Sequence, residues 1–232
     1  MINSDCIEFD QTKGIAILTD GLEQSEAGKI SAKLAAKSVF EGLRSDTFTN
    51  DLSSSNEEQV LNAIDKLLSK TNQVLIEASK AVGEENYMRT TIVAILIRKR
   101  KIFLGHVGDS RVYLLRNNIL ERLTRDHSLV HDLVFRGVYH KRKQKSSSID
   151  SVTRVLGAKP NIEITTLAHE IKSGDRLLLC SDGLSDMLSD KEIEEIANTE
   201  IHNLKKTTKN LIKFANRRGG RDNISVILAQ IP

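Results

Sequence analysis

The chain has 232 residues, 39% hydrophobic and 28% charged, with a net charge of +3, the balance of an ordinary globular protein of one large domain. So small a charge, with basic residues not interleaved with aromatics, excludes a nucleic-acid platform. The longest uncharged apolar stretch, Thr90–Ile97, is too short to span a bilayer and no basic-then-apolar leader follows Met1, so the expected location is cytoplasmic. With no Trp and 4% aromatic residues the core should be aliphatic. Cys6 and Cys180 each fall inside an apparent strand and read as reduced core thiols.

In chain order, Cys6–Phe9 and Gly14–Leu18 read as two strands of an N-terminal hairpin. Ser25–Leu43 reads as a helix, with Ala32, Ala35, Val39 and Leu43 on one stripe. A polar loop over Ser45–Asn56 leads to a second amphipathic helix, Glu57–Ala81, whose buried face carries Val60, Ile64, Leu67, Leu68, Leu75 and Ala78. The period then turns extended. Thr90–Arg98, Lys101–Val107, Arg111–Arg116 and Ile119–Leu123 read as a β-meander, with Asn117-Asn118 at a tight turn because Asn tolerates positive φ. Leu129–Arg136 suits a short helix, and Gly137–Asp150, aperiodic and rich in Lys, Arg and Ser, an exposed flap. Strands return at Ile162–Leu167 and Arg176–Cys180. Ser189-Asp190-Lys191-Glu192 is a capping box opening a helix to Ala197, and Asn203–Arg218 is a last helix stopped by Gly219-Gly220. Asn223–Ile231 is the final strand. Paired helices between runs of strands, without strict β-α-β alternation, predict an α+β fold of two mainly antiparallel sheets with helix pairs outside.

Four acids punctuate the apolar runs: Asp20 closes Ile15–Leu18, Asp109 follows Ile102–Val107, Asp182 follows Arg176–Cys180, and Asp222 precedes Ile224–Leu228. A lone Asp at a strand end is usually a turn residue or a cap. Four of them can converge on one rim of a sandwich, where packed carboxylates need cations to offset their repulsion. Oxygen-only donors select hard ions such as Mg2+ or Mn2+, and no Cys-x-x-Cys or His-x-x-x-His spacing competes for a softer metal. Gly21, lacking a side chain, can bring its carbonyl to an ion that Asp20 already holds.

The motifs Asn3-x-Asp5, Thr19-Asp20-Gly21, Ala27-Gly28, Thr90-Thr91, Val107-Gly108-Asp109-Ser110-Arg111, Leu123-Thr124-x-Asp126-His127-Ser128, Thr153-Arg154-x-Leu156-Gly157, Gly174-Asp175 through Ser181-Asp182-Gly183, and Gly219-Gly220-Arg221-Asp222-Asn223-Ile224 occur in one order along nearly the whole chain. In that order they resemble the metal-dependent Ser/Thr phosphatases of the protein phosphatase 2C family, in their compact bacterial form. The resemblance implies one catalytic domain over 1–232, with a flap at about 137–151, folded as a four-layer αββα sandwich. It implies two Mn2+ or Mg2+ ions with a possible third. Asp20 would bridge two ions and the Gly21 carbonyl hold the second, Asp182 and Asp222 would complete the first, Asp109 with Asp182 would form the third site, and Asp5 would orient waters from behind. Catalysis would run through a hydroxide shared by two ions, without a phosphoenzyme. Phosphoproteins would be substrates, a cognate Ser/Thr kinase a partner, and the chain a monomer without membrane or nucleic-acid partners.

The chain departs from the family pattern in three places. The phosphate-gripping arginine expected three residues before Asn3 would precede Met1. The usual Gly-Gly-His after the Asp-Gly-x segment is replaced by Glu23-Gln24-Ser25, where Ser25 suits a helix cap better than catalysis. The flap carries Lys141, Arg142, Lys143 and Lys145, a solvated basic loop or a steering surface for acidic phosphoproteins. His127 and His106 read as structural, and Lys205, Lys206, Lys209 and Lys213 as the wet face of the last helix. Two other readings stay open: a catalytically weak or dead module that binds phosphoproteins or a partner kinase, and a haloacid-dehalogenase-like phosphoesterase. The latter needs an acid at position 22, where Leu22 stands.

Overall fold

The computed structural model describes residues 2–22, 24–45, 48, 56–83, 87–128, 153–200 and 203–232. The helix expected over 129–136, the flap and Glu23 lie outside the described residues, as does most of the 45–56 loop. Sequence patterning and observed elements agree closely elsewhere. β1 (Asp5–Asp10) and β2 (Ile15–Asp20) form the N-terminal hairpin. Helix α1 (Glu26–Arg44) starts at Ser25, whose side chain accepts the Gly28 N–H. Helix α2 (Glu57–Val82) opens with a reciprocal capping box between Asn56 and Gln59.

The expected four-strand meander is corrected by the pairing. β3 (Ile92–Arg98) and β4 (Lys101–Val107) extend the first sheet, whereas β5 (Arg111–Arg116) and β6 (Ile119–Arg122) belong to the second. Between them Gly108-Asp109-Ser110 carries the chain across the sandwich, with Gly108 at φ +113°. That conformation suits glycine, and it makes β5 leave β4 instead of folding back on it. The β5–β6 turn runs as expected through Asn117 and Asn118 at φ 52° and 66°. β7 (Thr165–Glu170) lies a few residues beyond the expected Ile162–Leu167, because it joins β4 in the register His106–Thr165 to Lys101–Glu170.

β8 (Arg176–Cys180) is followed by a one-turn helix that the sequence did not signal, α3 (Asp182–Ser185). Helix α4 (Asp190–Thr199) has the Ser189–Glu192 capping box, and α5 (Leu204–Arg217) ends where Gly219 and Gly220 take φ +131° and +49°. β9 (Val226–Gln230) closes the second sheet. The sheet orders are β1-β2-β3-β4-β7 and β6-β5-β8-β9, every pairing antiparallel.

Three apolar seams hold four layers. Ile15, Ile17, Ile92, Ala94 and Leu96 face Ala35, Val39, Ile64 and Leu68 of α1 and α2. Their strand neighbours Ala16, Leu18, Val93 and Ile95 face Val112, Leu114, Leu177 and Leu179 across the sheets. Tyr113, Leu178 and Cys180 point the other way, onto Ile193, Leu211 and Ala215 of α4 and α5. The period-2 alternation of β2, β3 and β8 thus fills two seams at once, each fully buried aliphatic side chain contributing about 2 kcal/mol.

Candidate metal centre

One rim of the sandwich receives all five candidate acids. Asp5 begins β1 and pairs with Asp20 at the end of β2. Asp109 lies in the crossing segment, Asp182 opens α3, and Asp222 sits in the loop four residues ahead of β9, so of the five only Asp5 and Asp20 are themselves strand termini. Asp20 is half-buried, and the charges of Asp182, Asp5 and Asp109 act on it. Asp222 completes the group through its effect on Asp5 and Asp182.

The backbone fixes Asp20 from both sides. Its carbonyl accepts the Thr91 N–H and the Thr90 hydroxyl, both at 2.8 Å, and Gly21 N–H donates to Ser4 O at 3.1 Å. A Cβ on Gly21 would stand 2.1 Å from the Gly28 carbonyl of α1, so the helix packs against the Asp20-Gly21 turn only because this residue is glycine. Gly183 serves the same end beside Asp182, where a Cβ would meet the Asn223 carbonyl at 2.0 Å.

Residues that sequence reasoning passed over stitch the rim together. Ser181 donates from Oγ to Asp5 Oδ2 at 3.0 Å and accepts the Ser225 N–H at 3.0 Å. Asn223 Oδ1 accepts the Ser4 N–H at 2.8 Å. Gln24 Nε2 donates to Asp222 Oδ1 at 2.9 Å, and the same oxygen accepts Asn223 N–H at 2.7 Å. The contacts of Ser181 with Asp5 and of Asn223 with Ser4 join residues more than 170 positions apart, which local pattern cannot reveal.

Burial and mutual repulsion leave Asp5, Asp20, Asp109 and Asp182 reluctant to ionise. Desolvation, reinforced by Asp182, pushes Asp109 up to about 8, and desolvation likewise lifts Asp182 to about 6. Desolvation and the neighbouring Asp182 and Asp5 raise Asp20 well above the carboxylate range, with Asp20 and Asp182 close enough to share a hydrogen bond. Burial also raises Asp5. Among the described residues, Asp5 Oδ1 and Asp182 Oδ1 are buried with no hydrogen-bond donor. Carboxylate oxygens that are crowded, without a neutralising cation and unsatisfied fit hard divalent cations. Among the described residues no group of three His, Cys, Asp or Glu side chains is drawn together closely enough to hold an ion as it stands.

Other expectations resolve as follows. His127 accepts the Gly108 N–H on Nδ1 at 3.2 Å, which leaves Nε2 to donate to Thr165 Oγ1 at 3.0 Å, and it stacks on buried His106 with ring centroids 4.3 Å apart. Both imidazoles are structural. Cys6 and Cys180 are free thiols, and burial pushes Cys180 up to about 12, so no thiolate is available for attack. Lys141, Arg142, Lys143 and Lys145 lie outside the described residues. No described helix is long and apolar enough to cross a membrane.

The two facing antiparallel sheets between helix pairs match the fold of solved serine/threonine phosphatases. The Mycobacterium tuberculosis phosphatase PstP/Ppp superposes with a TM-score of 0.84 at 28% identity, covering 99% of this chain and 92% of that one. The catalytic domain of PstP in complex with 2 manganese ions gives a TM-score of 0.80 at 29% identity, over 99% and 92% of the two chains. The chain belongs to the protein phosphatase 2C family, whose model matches residues 1–229. A relative named serine/threonine phosphatase stp, from Listeria monocytogenes serotype 4b, is 32% identical over 229 residues, 98% of this chain and 88% of that protein.

Proposed function

We propose that this chain hydrolyses phosphoserine and phosphothreonine on proteins with Mn2+ or Mg2+ held at the acidic rim. The observation carrying this reading is the convergence of Asp5, Asp20, Asp109, Asp182 and Asp222, with orphaned oxygens on Asp5 and Asp182, in a chain of this family. Asp20, the Gly21 carbonyl, Asp182 and Asp222 would hold two ions, Asp109 with Asp182 a third, and Asp5 would support them from behind. Two ions held there would supply the charge that lowers the pKa of a shared water, making hydroxide available near neutral pH for in-line attack on phosphorus.

The chain's own residues supply position. Ser181 fixes the Asp5 carboxylate, and Gln24 with the Asn223 amide fixes one oxygen of Asp222, leaving the other for a cation. Ser25 Oγ is engaged by the Gly28 N–H, so it belongs to the helix, and the leaving alkoxide takes its proton from solvent. The buried Cys180 takes no covalent part. Partners on this reading are cytoplasmic phosphoproteins and the kinase that modifies them, with the basic residues 141–145 steering acidic substrates.

The test is turnover of p-nitrophenyl phosphate and of a phosphothreonine peptide with added Mn2+, with Asp182→Asn as control. Metal-dependent hydrolysis lost in the variant supports the enzyme. Mn2+ binding by calorimetry without hydrolysis in the wild type would make the chain a binding module instead.

A further inference from the structure

We infer that Arg89, stacked on Tyr87 beside the Asp20 turn, is the guanidinium that grips the phosphoryl group of the substrate; this rests on the phosphatase reading above. The side on which it lies follows from strand alternation. Ile92, Ala94 and Leu96 pack toward the helices, as does Met88, whereas Val93 and Ile95 face the gap between the sheets together with Ala16 and Leu18. Continuing the same alternation, Thr90 belongs to the helix side, and Thr91 and Arg89 to the inter-sheet side with Asp20. Thr91 bears this out, since its hydroxyl meets Ser110 Oγ at 2.7 Å, next to Asp109.

The pairing also sets how far along the rim Arg89 stands. Thr91 N–H donates to the Asp20 carbonyl, Thr90 bridges Gly21, and Leu22 N–H donates to the Arg89 carbonyl at 3.0 Å. Arg89 is thus two residues, roughly 7 Å, along the pairing from the partner of Asp20. It is half-buried, and its guanidinium lies over the Tyr87 ring at 4.8 Å from the centroid. Among the described residues no carboxylate pairs with it. A cation at the mouth of an acidic site would ordinarily turn to the nearest acid. Here the aromatic face holds its plane, and the in-plane N–H donors stay open for a bidentate oxyanion. A phosphoryl group brought to the rim meets donors already oriented.

The experiment compares wild type, Arg89→Ala, Arg89→Gln and Arg89→Lys, loaded with Mn2+, for kcat and KM on p-nitrophenyl phosphate and for competitive inhibition by inorganic phosphate. Calorimetry gives Mn2+ affinity in parallel. For Arg89→Ala and Arg89→Gln, KM and the inhibition constant of phosphate should rise roughly ten- to hundredfold, with Mn2+ affinity unchanged and Arg89→Lys intermediate. Unchanged KM and phosphate inhibition in an active wild type overturn the inference, as does a loss of Mn2+ affinity that accounts for the rise. If the wild type shows no turnover, the phosphatase reading fails on its own, and phosphate binding by calorimetry decides about Arg89. Weaker binding in Arg89→Ala sustains the anion site, and equal binding, or none to the wild type, removes it.

Discussion

Ser181 Oγ donates to Asp5 Oδ2 at 3.0 Å, and this one bond ties the first strand of one sheet to the end of β8 in the other. Asp5 keeps its second oxygen buried and, among the described residues, without a donor. Ser181→Ala should therefore act twice. Stability should fall by about 1–2 kcal/mol, because a buried carboxylate loses a donor and the Ser225 N–H loses an acceptor. Mn2+ affinity should fall roughly tenfold, as is usual when a ligand-orienting partner is removed. Denaturant melts without metal and calorimetric Mn2+ titration separate the two effects; a drop in stability with unchanged Mn2+ binding would remove Asp5 from the metal site.

The architecture was legible because its periodicities are local. β4, β5 and β8 coincide with their expected bounds, and Ser25 and Ser189 cap where their chemistry places them. What stayed hidden depends on partners distant in sequence. The crossing at Gly108-Asp109-Ser110 looks like a hairpin turn until β5 is seen to pair with β8. The shift of β7 comes from its register on β4, and α3 is too short to show a helical period. The acids could be named from the sequence because each follows or precedes an apolar run. Ser181, Asn223 and Gln24 could not, since a polar residue in a turn carries no signal until its partner is brought to it. The pattern around Gly21 points only to its carbonyl; the 2.1 Å that would separate a Cβ there from Gly28 O gives it an equally strong steric reason.

Asp182→Asn should separate stability from function. Burial and the neighbouring Asp186, Asp222 and Asp5 raise the cost of its charge. Removing that charge should stabilise the metal-free protein by about 1–3 kcal/mol at neutral pH. The same change should abolish the Mn2+-induced rise in Tm and the metal-dependent turnover. Thermal melts with and without Mn2+ check both. A variant less stable than wild type without metal would show that the rim carboxylates are not in conflict.

Gln24 occupies the loop where the family pattern has Gly-Gly-His, and its amide rests on Asp222. Gln24→Ala should weaken Mn2+ binding by roughly tenfold, because Asp222 loses the donor that complements the Asn223 N–H. Gln24→Glu should weaken it further, by replacing that donor with a like charge. Gln24→Asn, which keeps the amide but shortens the side chain, should fall between wild type and Ala. Equal affinity across the set, measured by Mn2+ titration, would leave Gln24 without a part in holding Asp222.

The stacked pair His106 and His127 should set an acid limit on stability. Burial, with His106 and Arg154 adding to it and Asp126 opposing, lowers His127 from 6.5 to about 3; burial, opposed by the Arg125 carbonyl and Asp126, also lowers His106. His127 is therefore neutral in the folded protein at pH 5, while the unfolded chain protonates it, and the lowered His106 acts in the same direction. Protons then favour unfolding. The stability these rings allow is complete above about pH 6.5 and is lost as pH falls toward the folded values. From His127 alone the loss at pH 5 is about 2 kcal/mol relative to pH 7. His127→Asn retains an acceptor for the Gly108 N–H and has nothing to protonate, so it should show a smaller drop in metal-free stability between pH 7 and pH 5. The raised rim carboxylates contribute the opposite slope, with stability lost as pH rises, but they do so in both proteins and cancel in the difference. Denaturant melts at the two pH values give that difference directly. Equal slopes for wild type and variant would mean that His127 can take a proton without leaving its place between Gly108, Thr165 and His106.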